Sequence, residues 1–101
     1  MLEKREDENV KLRLRDCFFL YKLNDSLMWL FNVETGEQYN LNESSFFVIS
    51  LLDGERTTRE IGQLYVSRYS NLGRDEKGLL EDFNNLIVHL LNENVVSANP
   101  K

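Results

Sequence analysis

The sequence is poor in the residues that most chemistry requires. One cysteine and one histidine occur among 101 residues. A lone Cys17 excludes an internal disulfide and a cysteine-pair zinc site. It reads as a small, semi-buried residue at the start of a strand. His89 has no metal-ligand spacing around it, and a helical wheel turns it towards solvent. There is no phosphate loop and no dinucleotide fingerprint; the glycines stand singly, at turns. Acidic side chains are plentiful, yet Glu55, Glu60, Glu81 and Asp82 read as solvated positions, and none forms an acid–base pair. An enzyme is therefore not expected, nor is a metal or a cofactor.

Basic residues are also scarce: 12 Lys and Arg against 17 Asp and Glu, for a net charge of −5. That balance argues against generic binding to nucleic acid or to an anionic membrane surface. No apolar run is long enough to cross a membrane or to serve as a signal peptide, so the cytoplasm is the expected location.

What remains is an ordinary globular composition, 42% hydrophobic and 29% charged, which suits one small domain. Residues 1–16 read as a charged N-terminal tail, partly ordered. The first nine residues read as mobile, whereas Val10, Leu12 and Leu14 alternate and suit pairing with a sheet edge. The domain proper spans 17–96, and 97–101 is a fraying tail. Three strands are predicted, over Phe18 to Leu23, Leu27 to Val33 and Gln38 to Leu41. Turns at Asn24-Asp25-Ser26 and Glu34-Thr35-Gly36-Glu37 join them into an antiparallel meander.

From Asn42 the period changes from two to 3.6. Asn42 is a natural N-cap for a helix to about Leu52, with Val48, Leu51 and Leu52 as core positions and Asp53-Gly54 as its end. Thr57 and Glu60 form a capping box for a second helix that buries Ile61, Leu64, Tyr65 and Tyr69. Ser70 to Asp75 is a loop. A third helix begins between Asp75 and Gly78, ends near Glu93, and is closed by Asn94 and Val95-Val96. Strands followed by helices indicate an α+β fold, a winged-helix-like three-stranded antiparallel sheet followed by three helices.

Two features exceed the needs of a small core. The apolar arc of the third helix runs from Leu86 through Phe83, Ile87, Leu80 and Leu91 to Val88. That is about half the circumference, against a stripe of about 100° for one-sided packing. Either its neighbours cover the excess, or one flank lines an open groove. The second feature is the strand Gln38 to Leu41, a sheet edge with no proline or lysine to block pairing. Either solvent or the N-terminal segment shields it, or it accepts an extended peptide by strand addition.

From Tyr39 to Ile61 the chain resembles the PqqD-like family, also called RiPP recognition elements (RiPPs are ribosomally made, post-translationally modified peptides). The resemblance is carried by Leu41-Asn42, Ser45, Val48-Ile49, Leu51, Asp53-Gly54, Thr57 and Glu60-Ile61. A second block comprises Asp82-Phe83, Leu86-Ile87, Leu90 and Val95-Val96. It departs from the family at Ser45, usually Ala, at Ile49, often aromatic, and at Asn94, usually Gly.

The resemblance implies a non-catalytic domain that binds the leader of a precursor peptide as an added strand. Its partners would be that peptide and a modifying enzyme, such as a radical S-adenosylmethionine enzyme, a protease or a cyclase. Carried over by position, Gln38, Tyr39, Asn40 and Leu41 supply the strand edge, and Leu80, Phe83, Asn84, Ile87 and Leu91 the helix side of one cleft. Two other functions fit the same order of elements. A winged-helix DNA-binding protein would need a basic recognition helix, yet Arg59 and Arg68 share theirs with Glu60, and the third helix carries Glu81, Asp82 and Glu93. A structural subunit would use the groove to hold a partner enzyme.

Overall fold

The computed structural model describes residues 10–70, 73 and 75–98. The stretch 1–9, expected to be mobile, lies outside the described residues, as do 99–101. The elements run β1 (Lys11–Leu14), β2 (Phe18–Asn24), β3 (Leu27–Asn32), β4 (Gln38–Leu41), α1 (Glu43–Ser50), β5 (Asp53–Thr57), α2 (Thr58–Ser70), α3 (Glu76–Asn92) and β6 (Val96–Ala98).

The meander forms as the sequence predicts, in the order β2-β3-β4. Both of its turns are fixed by asparagine side chains, which satisfy backbone amides that a tight turn leaves open. Asn24 Oδ1 accepts from Ser26 N at 2.8 Å and Leu27 N at 3.0 Å, and Asn32 Oδ1 accepts from Glu34 N at 2.9 Å. Gly36 takes φ +80, where a side chain would be strained. Leu30 pairs with Leu20 on one side and Tyr39 on the other. Met28 and Leu30 are buried, whereas Trp29 and Phe31 lie half-covered on the outer face beside exposed Phe19 and Tyr21.

A second sheet, in the order β5-β1-β6, was not expected. The alternating segment at Leu12 does form a strand, but it lies at the centre of this sheet and does not pair with the meander. Leu12 is one of the most buried side chains. Ser97 and Ala98, expected to fray, pair with Arg13 and Leu12. Asp53 and Gly54, expected only to end a helix, begin β5; Gly54 does take the positive φ, +81. Asp-Gly-Glu-Arg-Thr has no apolar alternation, so pairing with β1 alone makes it a strand.

The expected N-cap Asn42 and the expected capping box form, and Asp75 caps the third helix at the start of its expected range. Asn42 accepts from Ser45 N at 2.8 Å, and Asp75 accepts from Gly78 N at 3.2 Å. The capping box closes both ways, with Thr57 N–H donating to Glu60 Oε1 at 2.8 Å and Glu60 N–H to Thr57 Oγ1 at 3.1 Å. Asn94 adopts φ +59 and turns Val95 and Val96 back onto the core.

Two expected core residues, Leu51 and Leu64, are not buried. In α1, Ile49 is buried together with Val48, and Leu51 is only half-buried. In α2, Leu64 is 42% exposed, because the buried arc is centred on Tyr65 and Tyr69 and takes in Gly62. A Cβ on Gly62 would stand 3.1 Å from Phe83 Cε2, so the glycine lets α2 and α3 approach closely. Leu80 and Leu91 stay exposed on α3, whereas Leu79, Phe83, Ile87 and Leu90 are buried.

One polar cluster ties α1 to α2. Glu43 accepts hydrogen bonds from Tyr69 and Arg68, and the Arg68 guanidinium lies 4.8 Å from the centre of the Phe47 ring. The Tyr69 hydroxyl is the main cause, with Arg68, of a Glu43 pKa below its ordinary 4.5. A carboxyl depressed in the folded state stabilises it fully above the unfolded value, and the contribution is lost as pH falls through the folded value. Glu43→Gln is therefore expected to flatten the acid limb. Melting temperatures recorded from pH 6 to pH 3 should fall less steeply in the variant. An unchanged slope would mean that the cluster does not discriminate between the two protonation states.

Candidate functional site

The edge of β4 has a definite polarity. Asn32 N–H donates to Glu37 O at 2.9 Å, which sets the phase of the β3–β4 ladder. In an antiparallel pair, opposed residues alternate between exchanging hydrogen bonds and facing away. The pairs Leu30–Tyr39 and Met28–Leu41 are thus the bonded ones. Gln38 and Asn40 direct their N–H and C=O groups outward, and no strand among the described residues covers them. The edge offers two donors and two acceptors, spaced for another strand.

Side-chain direction follows from the same register. Tyr39 and Leu41 share the inner face with Leu30 and Met28, and Gln38 and Asn40 share the outer face with Phe31 and Trp29. Leu41 packs against the core. The Tyr39 hydroxyl donates to Glu37 Oε1 at 2.8 Å. That bond, followed by slight burial and the charges of Glu37 and Glu93, raises the Tyr39 pKa. Glu93, which caps the end of α3, therefore lies within electrostatic reach of β4.

The nine residues expected in one cleft do not gather in one place. Leu80, Phe83, Asn84, Ile87 and Leu91 line a groove with Gly62 and Val66 of α2, Leu12 of β1 and Ala98 of β6; Gln38, Tyr39, Asn40 and Leu41 are not part of it. At about 100° per residue, Leu80 lies roughly 60° to one side of Phe83 and Leu86 roughly 60° to the other. Packing against α2, with Gly62 under the Phe83 ring and Tyr65 at 5.8 Å from it, turns the Leu80 flank into the groove with α2. The opposite flank carries Leu86, which packs on the same core as Leu41. The periodicity of α3 alone does not reveal this rotation, but a glycine at position 62 among buried positions was a usable sign of close helix contact. The wide apolar arc is not fully covered: Val88 is 54% and Leu91 43% exposed.

No group of three His, Cys, Asp or Glu side chains with metal-binding geometry occurs among the described residues. His89 is exposed and Cys17 is buried. No helix among the described residues is long and apolar enough to cross a membrane.

Fold and site together define a small α+β domain that presents an open strand edge beside a helix. The chain belongs to the PqqD family: the family model described as coenzyme PQQ synthesis protein D (PqqD) matches residues 28–96. This agrees with the resemblance seen in the Leu41-Asn42 and Asp82-Phe83 blocks. Two solved structures share the fold. TbiB1 in complex with the TbiA(beta) leader peptide superposes with a TM-score of 0.69 at 20% identity, covering 84% of this chain and 94% of that one. Lasso peptide synthetase B1 complexed with the leader peptide gives 0.69 at 20% identity, covering 86% and 98%. No curated protein matches.

Proposed function

We propose that this chain captures the leader of a ribosomally made precursor peptide as a strand added to β4 and presents it to a modifying enzyme. The observation that carries this reading is the outward-facing main chain of Gln38 and Asn40 at an uncovered edge. Family membership supports it, as do two structural neighbours described as bound to leader peptides. The domain supplies binding and no chemistry; the enzyme is a radical S-adenosylmethionine enzyme, a protease or a cyclase.

The site takes Gln38 to Leu41 as its strand and the Leu86 flank of α3 as its far wall. Phe83 and Ile87 lie beneath that wall, and Leu80, Asn84 and Leu91 serve the separate groove with α2. Backbone pairing gives affinity and the inner-face pockets give selectivity. A DNA-binding role is disfavoured by the net charge of −5 and by Arg68, whose guanidinium is held by Glu43.

Trp29 pairs with Asn40, one strand in from the edge, and reports on occupancy. Titration with the synthetic leader of a precursor peptide encoded beside this protein should give a saturable change in tryptophan emission. Failure of every such leader to bind would overturn the reading and favour a structural subunit that holds its enzyme directly.

A further inference from the structure

The strand edge lies beside uncompensated negative charge. Glu37 immediately precedes β4, and its carboxylate is held over the inner face by the Tyr39 hydroxyl at 2.8 Å. Glu93 lies beyond the last turn of α3, within electrostatic reach of the same tyrosine. Neither carboxylate is in an ion pair among the described residues. The basic side chains seen in ion pairs engage other acids: Arg13 with Asp16, Lys22 with Asp25, Arg56 with Asp53 and Arg68 with Glu43. Arg15 approaches this end of the cleft, but its Nη1 donates to the Asn94 carbonyl at 2.9 Å. Two positions along β4 the character of the inner face changes, because Leu41 packs there against the core.

An added strand places alternate side chains on this inner face. One of them meets Leu41, and the next, two residues away, meets Tyr39 and the Glu37 carboxylate bonded to it. From this we infer that the peptide bound at β4 carries a lysine or arginine two residues from an apolar anchor, with the basic side chain drawn to Glu37 and, at longer range, to Glu93. The inference rests on the strand-addition reading and narrows the peptides that reading admits. A carboxylate at the same position would face like charge, and an aliphatic one would forgo the attraction.

A displayed library of random dodecapeptides tests it. Selection is run against the full chain, against the Glu37→Gln/Glu93→Gln double variant and against Asn40→Pro, each shown to be folded by circular dichroism. Binders that need the β4 edge are those lost on Asn40→Pro. Among them, Lys and Arg should be enriched several-fold at a position two residues from an apolar one, and the double variant should abolish the enrichment. In a synthetic binder, Lys→Gln should weaken binding about three- to ten-fold at low salt. The difference should shrink towards 1 M salt, where the screening length falls to about 3 Å. Edge-dependent binders without basic enrichment, or with enrichment that the double variant leaves intact, would overturn the charge inference and leave strand addition standing. If no binder depends on the edge, strand addition itself fails.

Discussion

Replacing Asn40 with proline is expected to abolish peptide capture and leave the domain folded. Proline lacks the N–H and fixes φ near the value an edge strand tolerates. The N–H of Asn40 faces outward, because Asn40 opposes Trp29 at a pair that exchanges no hydrogen bonds. The sheet therefore keeps its ladder, and only the incoming strand loses a donor. A peptide hydrogen bond contributes a net 0.5–1.5 kcal/mol or so, and the carbonyl left unpaired costs about 1–3 kcal/mol more. The pyrrolidine ring also occupies the approach path. Together these amount to about 2–4 kcal/mol, a weakening of about thirty-fold or more at 1.4 kcal/mol per decade. Leu41→Pro is the wrong probe, since the Leu41 amide faces Met28 across the β3–β4 ladder and its loss would damage the sheet. Tryptophan titration alongside a thermal melt separates the two effects. Wild-type affinity in a folded Asn40→Pro chain would exclude this edge as the binding site.

The largest expected loss of stability comes from Ile61→Ala. Ile61 is fully buried on the inner face of α2, and truncating a buried isoleucine costs about 2–5 kcal/mol through lost transfer energy and the cavity left behind. In a domain of this size each 1 kcal/mol moves the melting temperature by about 4–8 °C, so the transition should fall by at least about 8 °C. Leu64→Ala, three residues on, should move it far less, because Leu64 is 42% exposed and surface changes usually stay within about 0.5 kcal/mol. Equal losses at the two positions would show that the orientation of α2 differs from the one described.

That pair also marks where the sequence was readable and where it was not. Isoleucine and leucine at helical spacing do identify a helix, and the capping residues Asn42, Thr57 and Glu60 locate the starts of α1 and α2. Caps are local chemistry, written within four residues. Which side of the helix is buried depends on its neighbours, and Leu64 lies on a flank that no neighbour covers. The same limit applies to the site. The free edge at Gln38 to Leu41 followed from the order of strands and turns. The rotation of α3 follows from Gly62 meeting Phe83, a contact between distant segments, so which flank of the helix meets which neighbour is not written in its period. The second sheet was missed for a related reason, because β5 has no pattern of its own and takes its conformation from Lys11 to Leu14.

The position of β1 governs how this chain can be made. Its neighbours in the sheet come from residues 53–57 and 96–98, so Leu12 opposes Ala98. The meander and α1 need only contacts close in sequence and can form while synthesis continues. The central strand of the other sheet gains its second partner only after Ala98 has emerged. Pairing across so long a loop is slow to form, and until then Leu12 lacks part of its cover. A nascent or truncated chain that stops before Val96 would thus carry the formed β4 edge on an unfinished domain, with a second open edge along β1 exposed to its neighbours.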